Sequence, residues 1–287
     1  MNNQQQPNSA FIPQLQSFEG SDAQVAFGSP AEGPLGNKTA SRSGKLIINA
    51  DDWGRDQETT ARILSCVARG SISSVSAMVF MADSERAAAV AREQEIDAGL
   101  HLNLTDPLSA DNCWRELTDR QHEVATYLLR HRYSQLLFNP ALARSFDYVV
   151  SAQIEEYGRL YGVPPGRLDG HHHMHLCANV LFGRLIPRGI MVRRNFSFSP
   201  AEKSWPNRYY RRIIDNLLAR RHRLTDFFFS LAPLDPPERL QRILSLSRNF
   251  AVEVETHPVN PEEFRFLESR KIFRLAADLC IAKGFSI

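Results

Sequence analysis

The chain contains little cysteine and has no strong excess of either charge. Its 287 residues include four cysteines, Cys66, Cys113, Cys177 and Cys280, which are widely scattered and form no C-x-x-C pair. A disulfide framework or a cysteine-type zinc site is therefore not expected, and the pattern is typical of a reducing compartment. The formal net charge is +2, whereas a dedicated nucleic-acid binder usually carries a strong basic excess. We therefore expect no nucleic-acid partner.

Long apolar runs are also missing from the sequence. No segment approaches the roughly 18 consecutive apolar residues that indicate a membrane span. The N-terminus lacks the basic and apolar regions of a secretory signal. Hydrophobic residues make up 43% of the chain and charged residues 23%, which are ordinary values for a globular protein. We therefore expect a cytoplasmic protein without a transmembrane segment, and these features are compatible with a homo-oligomer.

The first 44 residues differ in composition from the rest of the chain. They are rich in Gln, Asn, Ser, Gly and Pro and show no sustained periodicity. Such a segment buries too little apolar surface to offset its chain entropy. The sequence therefore predicts a flexible N-terminal tail over residues 1–44 and a single folded domain over residues 45–287.

From Lys45 onward, short apolar segments alternate with segments of helical periodicity. Asp56 is placed to cap the first helix, which Gly70 ends. The strand candidates are 46–50, 74–80, 97–104, 167–172, 189–194, 224–229 and 250–257. The helix candidates are 58–70, 85–94, 141–162, 179–187, 207–222, 236–247 and 262–284, with helical pieces of an insertion in 111–138. This alternation predicts an α/β fold with a parallel sheet, and seven or eight βα units favour a (β/α) barrel over a doubly wound sheet.

Titratable side chains fall where the predicted strands end. The carboxyl ends of parallel strands form the functional face of such folds, so we expect these side chains to converge. They are Asp51, Asp52, His101, Asp169, His171, His172, His173, His175 and His257.

Two adjacent carboxylates follow the first predicted strand. One of them, Asp51 or Asp52, would suffice to cap the next helix. Two neighbouring carboxylates repel each other unless a cation or a proton lies between them. We therefore favour a functional pair, in which one carboxylate holds a metal and the other faces the reacting water.

The histidine-rich segment DGHHHMH, residues 169–175, is the strongest chemical signal. A surface tract with incidental metal affinity is the alternative interpretation. In an extended segment His171, His173 and His175 would project to one side. Two imidazoles and a carboxylate with open positions are typical of a catalytic mononuclear metal site, and Asp169 is placed to orient a ligating imidazole.

Four blocks of the sequence, NADDWG (49–54), GLHLNLT (99–105), LDGHHHMH (168–175) and ETHP (255–258), resemble the signature blocks of the YdjC-like carbohydrate deacetylases. That family includes diacetylchitooligosaccharide deacetylases and hopanoid-associated relatives, and the resemblance runs over about residues 45–287. It implies a distorted TIM-type barrel, as in other polysaccharide deacetylases, and a divalent metal, usually described as magnesium.

The resemblance also implies roles for individual residues. The metal ligands are expected to be Asp52, His101 and His171, with Asp51 as catalytic base and His257 as general acid. His173 and His175 are expected to support the site or to contact substrate.

Two positions depart from the family pattern. Trp53 stands where Phe is usual, and Gly170 stands where Ser or Thr is common. The Trp53 indole is therefore a candidate surface for a sugar ring.

The predicted function is removal of an N-acetyl group from an acetamido sugar, free or linked to a glycan or lipid, with release of acetate. A divalent cation supplies a nucleophile stronger than neutral water, and an imidazolium protonates the departing amine. One Asp and two His also suit zinc, manganese, cobalt or iron. Two alternatives stay open: a phosphoesterase or other metal hydrolase on the same fold, and a non-catalytic protein that binds sugar or metal.

An arginine-rich stretch, residues 207–223, lies outside the family pattern. Ile213, Ile214, Leu217 and Leu218 share one helical face, with six arginines around them. A solvated helix face is the first interpretation. The alternatives are a surface for a polyanionic glycan or a lipid-linked phosphate, and a partner interface.

Overall fold

The computed structural model describes residues 44–200, 202–276 and 281–285. The predicted tail, apart from Gly44, lies outside these residues. The strands are β1 (Lys45–Trp53), β2 (Ser74–Ala77), β3 (Ala98–Leu102), β4 (Arg167–Gly170), β5 (Met191–Val192), β6 (Phe227–Ser230) and β7 (Ala251–Thr256). The helices are α1 (Gln57–Ala68), α2 (Ser84–Glu93), α3 (Arg115–Arg130), α4 (Ala143–Tyr161), α5 (Ala178–Gly183), α6 (Trp205–Ala219), α7 (Pro237–Leu246), α8 (Pro261–Glu268) and α9 (Lys271–Leu275).

The seven strands form one parallel sheet in the order β5-β4-β3-β2-β1-β7-β6. The sheet curls, and helices surround it. Its outer strands approach each other, because Met191 bridges to Arg223 and the Ser197 N–H donates to the Phe228 carbonyl at 2.8 Å. The predicted α/β fold, a distorted (β/α) barrel, is confirmed.

The central position of β1 explains its composition. It pairs with β2 on one side and with β7 on the other, and almost all of its residues are buried. A parallel strand covered on both faces requires a continuous apolar run, which LIINA supplies. The prediction that Asp56 caps α1 is also confirmed, because its carboxylate accepts from the Thr59 N–H at 2.8 Å.

Between β3 and β4 the chain forms a helix pair. The segment predicted as an insertion contains α3 and a short 3-10 turn at Ser134–Leu136. Helix α3 packs against α4, and its buried residues Leu117, Val124 and Leu128 recur at helical spacing. The pair lies next to the loop that follows β3.

The prediction of one long C-terminal helix over 262–284 is wrong. Helix α8 ends at Glu268, Arg270 takes a left-handed conformation with φ of 54°, and α9 begins at Lys271. Five residues of a straight helix turn through about 500°, so Leu267 and Ile272 would point in different directions. The break places both side chains in the core.

A metal-type cluster at the carboxyl ends of the strands

Three buried side chains converge from separate strands. Asp52 lies near the end of β1, His101 in β3, and His171 directly after β4. The Asp52 Oδ1 atom is 2.9 Å from His171 Nδ1 and 3.4 Å from His101 Nε2. The topology explains the convergence, because the carboxyl ends of parallel strands meet at one edge of the sheet.

The ligand atoms of this cluster lack ordinary hydrogen bonds. Asp52 Oδ1, His101 Nε2 and His171 Nε2 are buried and have no hydrogen-bond partner of acceptable geometry. An unpaired buried polar group is costly, so several in one place indicate a missing partner. The three residues can each offer one ligand atom to a common ion. One carboxylate and two imidazoles fit a divalent cation with open coordination positions.

The backbone aims the Asp52 carboxylate. Asp52 has a φ of 69°, in the left-handed region that Asp tolerates better than most residues. The Arg55 N–H donates to the Asp52 carbonyl at 3.1 Å and closes the turn. This reversal, together with strand alternation, sends the Asp51 and Asp52 side chains in different directions.

Asp169 fixes the orientation of the His101 ring. Its carboxylate accepts from His101 Nδ1 at 2.8 Å. It also accepts from Ser76 Oγ at 2.5 Å and lies 2.9 Å from the Arg193 guanidinium. With a proton held on Nδ1, the other ring nitrogen, Nε2, faces Asp52, which is the orientation of a ligating imidazole.

The electrostatics of the cluster favour positive charge. Burial would raise the pKa of Asp52, but His101 and His171 hold it well below its usual range. Burial would lower the pKa of His101, but Asp51, Asp169 and Asp52 raise it to about 10. The pKa of His171 is also raised, against burial, by the nearby carboxylates of Asp106 and Asp52. Without a cation, protons on the imidazoles balance the carboxylates.

Asp51 is held by a buried arginine. Arg193 donates from Nη1 to Asp51 Oδ2 at 2.6 Å and from Nη2 to Asp51 Oδ1 at 2.7 Å. Asn49 Nδ2 donates to Asp51 Oδ1 at 2.8 Å. Such a two-pronged pair fixes the orientation of a carboxylate.

Arg193 is the centre of a wider carboxylate group that the sequence prediction missed. Its Nε donates to Glu253 at 2.7 Å, and its Nη1 lies 3.4 Å from Glu255. Burial raises the pKa of Glu253, and burial together with Asp51 raises that of Glu255 to well above its usual range. One arginine does not neutralise these carboxylates, so this part of the site is also short of positive charge.

His257 lies at the open side of the site, after β7. Its Nε2 is 3.9 Å from Asp51 Oδ2, and its side chain is 36% exposed. Its backbone N–H donates to Glu263 at 3.0 Å, and Glu263 also accepts from Thr256 at 2.6 Å. These bonds fix the backbone while the imidazole stays accessible to a substrate.

The prediction that His171, His173 and His175 share one side of an extended segment is wrong. Residues His171–Leu176 form a 3-10 turn, and His172 and His173 have φ of 53° and 57°. The three side chains therefore diverge, because each left-handed residue redirects the chain.

His173 and His175 serve other contacts. The His173 ring packs edge-on against Phe196 with centroids 4.6 Å apart, and its Nε2 is 3.6 Å from Glu255. His175 is fully buried and its Nε2 donates to the Arg193 carbonyl at 3.0 Å. Burial lowers the pKa of His175 to about 4, so His175 is neutral and supports the Arg193 backbone.

Asp106 is a second site residue that the sequence prediction missed. Its Oδ2 lies 3.2 Å from His171 Nε2 and 3.0 Å from Arg55. His171 thus has a carboxylate facing each ring nitrogen. Asp106, His171 and His172 form a further group that could hold a cation. The signal available in the sequence was the position of Asp106 just after GLHLNLT.

Trp53 and Gly170 have structural explanations. Trp53 is completely buried and donates from Nε1 to the Ala87 carbonyl at 3.2 Å. This corrects the prediction of Trp53 as a sugar-stacking surface: it packs β1 against α2. A Cβ at Gly170 would lie 3.0 Å from His175, so the absence of a side chain lets His175 approach β4.

Comparisons with known proteins place the chain in a family. The profile of the family described as YdjC-like protein matches residues 45–273. The chain belongs to the YdjC-like family. The match covers every strand of the sheet and all the residues of the cluster.

Curated relatives and a solved structure share parts of this similarity. Chitooligosaccharide deacetylases of Yersinia pestis (strain Pestoides F) and Yersinia pseudotuberculosis serotype O:3 (strain YPIII) are each 30% identical over 138 residues, 47% of this chain and 52% of theirs. The matched part of the chain thus spans about half the length of these relatives. A structure from Enterococcus faecalis V583, described as a proposed cellobiose-phosphate cleavage protein, aligns with a TM-score of 0.62 and 18% identity, over 84% of this chain and 97% of that one. At that identity it shows the fold alone.

Within residues 44–200, 202–276 and 281–285, no helix is both long enough and apolar enough to cross a bilayer.

Proposed function

We propose that this YdjC-like protein is a metal-dependent N-deacetylase that removes an acetyl group from an acetamido sugar and releases acetate. The observation that carries the proposal is the group of unpaired buried ligand atoms on Asp52, His101 and His171, beside Asp51 and the accessible His257. The chitooligosaccharide deacetylases among its relatives support the reaction class.

Asp52, His101 and His171 would hold the cation. A bound divalent metal supplies Lewis-acid polarisation of the acetyl carbonyl and lowers the pKa of a bound water. Magnesium follows from the family resemblance, and the two imidazoles also suit zinc or another transition metal. Asp169 supports this set, because its bond to His101 Nδ1 leaves Nε2 free for the ion.

Asp51 is proposed as the base. The two Nη atoms of Arg193 donate to both oxygens of this carboxylate and hold it in place. Asn49 adds a third donor that fixes the plane of the carboxylate. The Asp51 carboxylate lies close to His101, so a water at the cluster would be within reach of it.

His257 is proposed as the general acid. An amine anion is too basic to depart, so the sugar nitrogen must receive a proton as the C–N bond breaks. His257 Nε2 is 3.9 Å from Asp51 Oδ2, so the proposed acid lies beside the proposed base. Its partial exposure lets it meet a substrate entering from solvent.

The location and the substrate class are part of the same proposal. Cys66, Cys113 and Cys177 are unpaired, which fits a reducing, cytoplasmic compartment. The substrate is an acetamido sugar, free or carried on a glycan or lipid.

A substrate panel would test the function. Purified protein loaded in turn with magnesium, manganese, cobalt or zinc would be incubated with N-acetylglucosamine, chitooligosaccharides, lipid-linked acetamido sugars and sugar phosphates. Acetate and inorganic phosphate would both be measured. We expect acetate release from at least one acetamido sugar, and none from the His171→Ala variant under the same conditions.

Two results would contradict the proposal. Phosphate release without acetate would identify a phosphoesterase. Saturable sugar binding without any product would identify a non-catalytic binding protein. The His257→Ala variant, whose metal ligands are intact, separates a failure of chemistry from a failure of metal loading.

A further inference from the structure

A cationic cavity lies on the other end of the barrel from the candidate catalytic cluster. Its volume is about 490 Å³, and it is bounded by α5, the loop that follows α5, and the C-terminal end of α6. Four arginines and a histidine line it: Arg184, Arg188, Arg220, Arg221 and His222.

The topology separates this cavity from the site described above. Residues 184–188 precede β5, and residues 220–222 precede β6, so both loops lie at the amino ends of parallel strands. Two backbone bonds join the loops: Gly189 N–H to the Arg221 carbonyl at 2.8 Å, and Arg223 N–H to the Ile190 carbonyl at 3.1 Å. In barrels of this class the reaction is built at the opposite, carboxyl-end face. A ligand bound in this cavity therefore lies at the opposite end of the barrel from the group on which the proposed reaction takes place.

Among the described residues, no acidic side chain pairs with the arginines of the cavity. Within the described parts of the chain, none of its four arginines has an ion pair or a side-chain hydrogen bond. The acidic residue of α6, Asp215, is already engaged by Arg194 at 2.8 Å and Asn195 at 2.9 Å. Burial and the Arg221 charge lower the pKa of His222, as expected beside uncompensated cations.

Helix capping accounts for only part of this charge. Arg184 and Arg220 follow the last residues of α5 and α6, and a helix C-terminus carries about half a negative charge. The two helix ends together offset roughly one positive charge of four. The remaining arginines repel one another in the free protein.

Two buried polar nitrogen atoms also lack partners. Arg221 Nε and His222 Nδ1 are inaccessible to water and have no hydrogen-bond partner among the described residues. Leaving such atoms unpaired is costly. Both belong to residues that line the cavity, so an acceptor placed there would relieve the cost and the charge repulsion together.

The floor of the cavity is apolar. It consists of Val180, Leu181, Ile186, Leu217 and Leu218, and Phe182 stands 60% exposed at its edge. A cavity with guanidinium groups around an apolar floor fits a ligand that joins a multiply charged anion to a non-polar portion. Guanidinium groups bind phosphate oxygens in pairs, in a fixed geometry.

We propose that this cavity, lined by Arg184, Arg188, Arg220 and Arg221, is a binding site for a phosphate-bearing anion with an apolar portion. It takes up a phosphate or pyrophosphate group of a soluble metabolite or of a lipid headgroup, and it holds that molecule away from the catalytic face. The proposal is independent of the N-deacetylase activity.

Binding of pyrophosphate to the full chain tests the proposal. Titration calorimetry should show saturable binding of one pyrophosphate per chain, weakened at least about tenfold in the Arg220→Gln/Arg221→Gln variant. Arg212→Gln, on the exposed face of α6 outside the cavity, is the matched control and should bind within about twofold of the wild type. Because the double variant also removes charge repulsion, its melting temperature without ligand should not fall below that of the wild type.

A second control excludes the metal cluster as the site of binding. Pyrophosphate also chelates metals, so the His171→Ala variant is titrated in parallel and should bind as the wild type does. Co-sedimentation with vesicles of phosphatidylglycerol and phosphatidylcholine, against phosphatidylcholine alone, distinguishes a lipid source from a soluble one. Cavity-dependent binding in either assay supports the proposal.

Three results would overturn it. The first is absence of saturable binding in both assays. The second is equal loss in the Arg212→Gln control, which would indicate diffuse attraction to a basic surface. The third is loss of binding in His171→Ala with retention in the double arginine variant, which would assign the anion to the metal cluster.

Discussion

In the interior of the barrel, Arg193 donates hydrogen bonds to both carboxylate oxygens of Asp51, with nitrogen–oxygen distances of 2.6 and 2.7 Å. Neither side chain is exposed by more than a few per cent. The adjacent Asp52 has no such arginine fork: it faces two imidazoles, and its Oδ2 lies 3.3 Å from the partly exposed Arg55. The two consecutive carboxylates are therefore chemically different: one is held by a buried arginine, and the other lies among imidazoles.

The first prediction concerns the Arg193 fork. Arg193→Met removes the charge shared by four buried carboxylates at similar side-chain volume. The free energy of unfolding, measured in urea, should fall by about 3–5 kcal/mol, because breaking a buried ion pair leaves uncompensated charge. Arg194→Met, next in sequence and bonded to Asp215, is the matched control and should lose clearly less. Equal losses would mean that Arg193 contributes no more than a surface cation.

The second prediction separates the two carboxylates. Asp51→Asn should retain the metal, measured by elemental analysis, while turnover falls by about 10²–10⁴-fold, because an amide cannot accept the water's proton. Asp52→Asn should lose the metal together with activity. Loss of metal from Asp51→Asn, with retention in Asp52→Asn, would exchange the two roles.

The third prediction concerns metal and protons. His171→Ala should abolish stoichiometric metal binding, and His173→Ala, whose ring packs on Phe196, should retain it. Because the pKa of His101 is raised to about 10 and that of His171 is also raised, the cluster without metal holds a proton on His101 at neutral pH, and His171 is shifted in the same direction. A ligating imidazole is neutral, so metal binding should release protons and weaken as the pH falls.

Calorimetric titrations in buffers of different ionisation enthalpy would measure that release. A binding enthalpy independent of the buffer would show that the imidazoles were already neutral. Full metal occupancy in His171→Ala would remove this residue from the ligand set.

The fourth prediction concerns His257. His257→Ala should slow acetate release from a sugar amide by about 10²–10⁴-fold, because the amine must leave protonated. An acetyl ester should be affected much less, since an alcohol is a better leaving group. Equal losses on amide and ester substrates would assign His257 to substrate binding or to the fold.

The fifth prediction concerns acid stability. His175 is fully buried and its pKa is lowered to about 4, whereas an unfolded histidine has a pKa of about 6.5. Between these values the unfolded chain binds the extra proton, so the stability of the fold falls as the pH falls through this window.

The matched variant is His175→Gln. Between pH 7 and pH 4 the wild-type free energy of unfolding should fall by up to about 3 kcal/mol more than that of His175→Gln. Urea denaturation at several pH values measures both curves. Parallel curves would show that folding does not displace a proton from His175.

Much of the fold could be predicted from the sequence, because the alternation of apolar segments and helical periodicity is a local signal. LIINA, AGLHL and AVEVET correspond to β1, β3 and β7. The C-terminal helix was mispredicted because a continuous helical pattern does not reveal the left-handed break at Arg270. That break depends on where the core accepts Leu267 and Ile272.

The candidate site could be predicted only where its residues lie in distinctive local patterns. The pair Asp51–Asp52 and the run of histidines after Asp169 can be recognised in the sequence alone. Arg193 is followed by Arg194, and the sequence alone does not tell the two apart. Only the arrangement of β1, β4, β5 and β7 in the sheet distinguishes them. The divergence of His171, His173 and His175 comes from two left-handed residues that histidine identity does not signal.

The pairing of β1 with β7 has a consequence for synthesis of the protein. Residues from Lys45 to Ala50 pair with residues from Ala251 to Thr256, so this central strand must wait for a partner that is synthesised about 200 residues later. At about 5–20 residues per second the wait is roughly 10–40 s. During that interval the nascent chain exposes one edge of an apolar strand. A newly made chain is thus open to strand-edge aggregation until β7 has been synthesised.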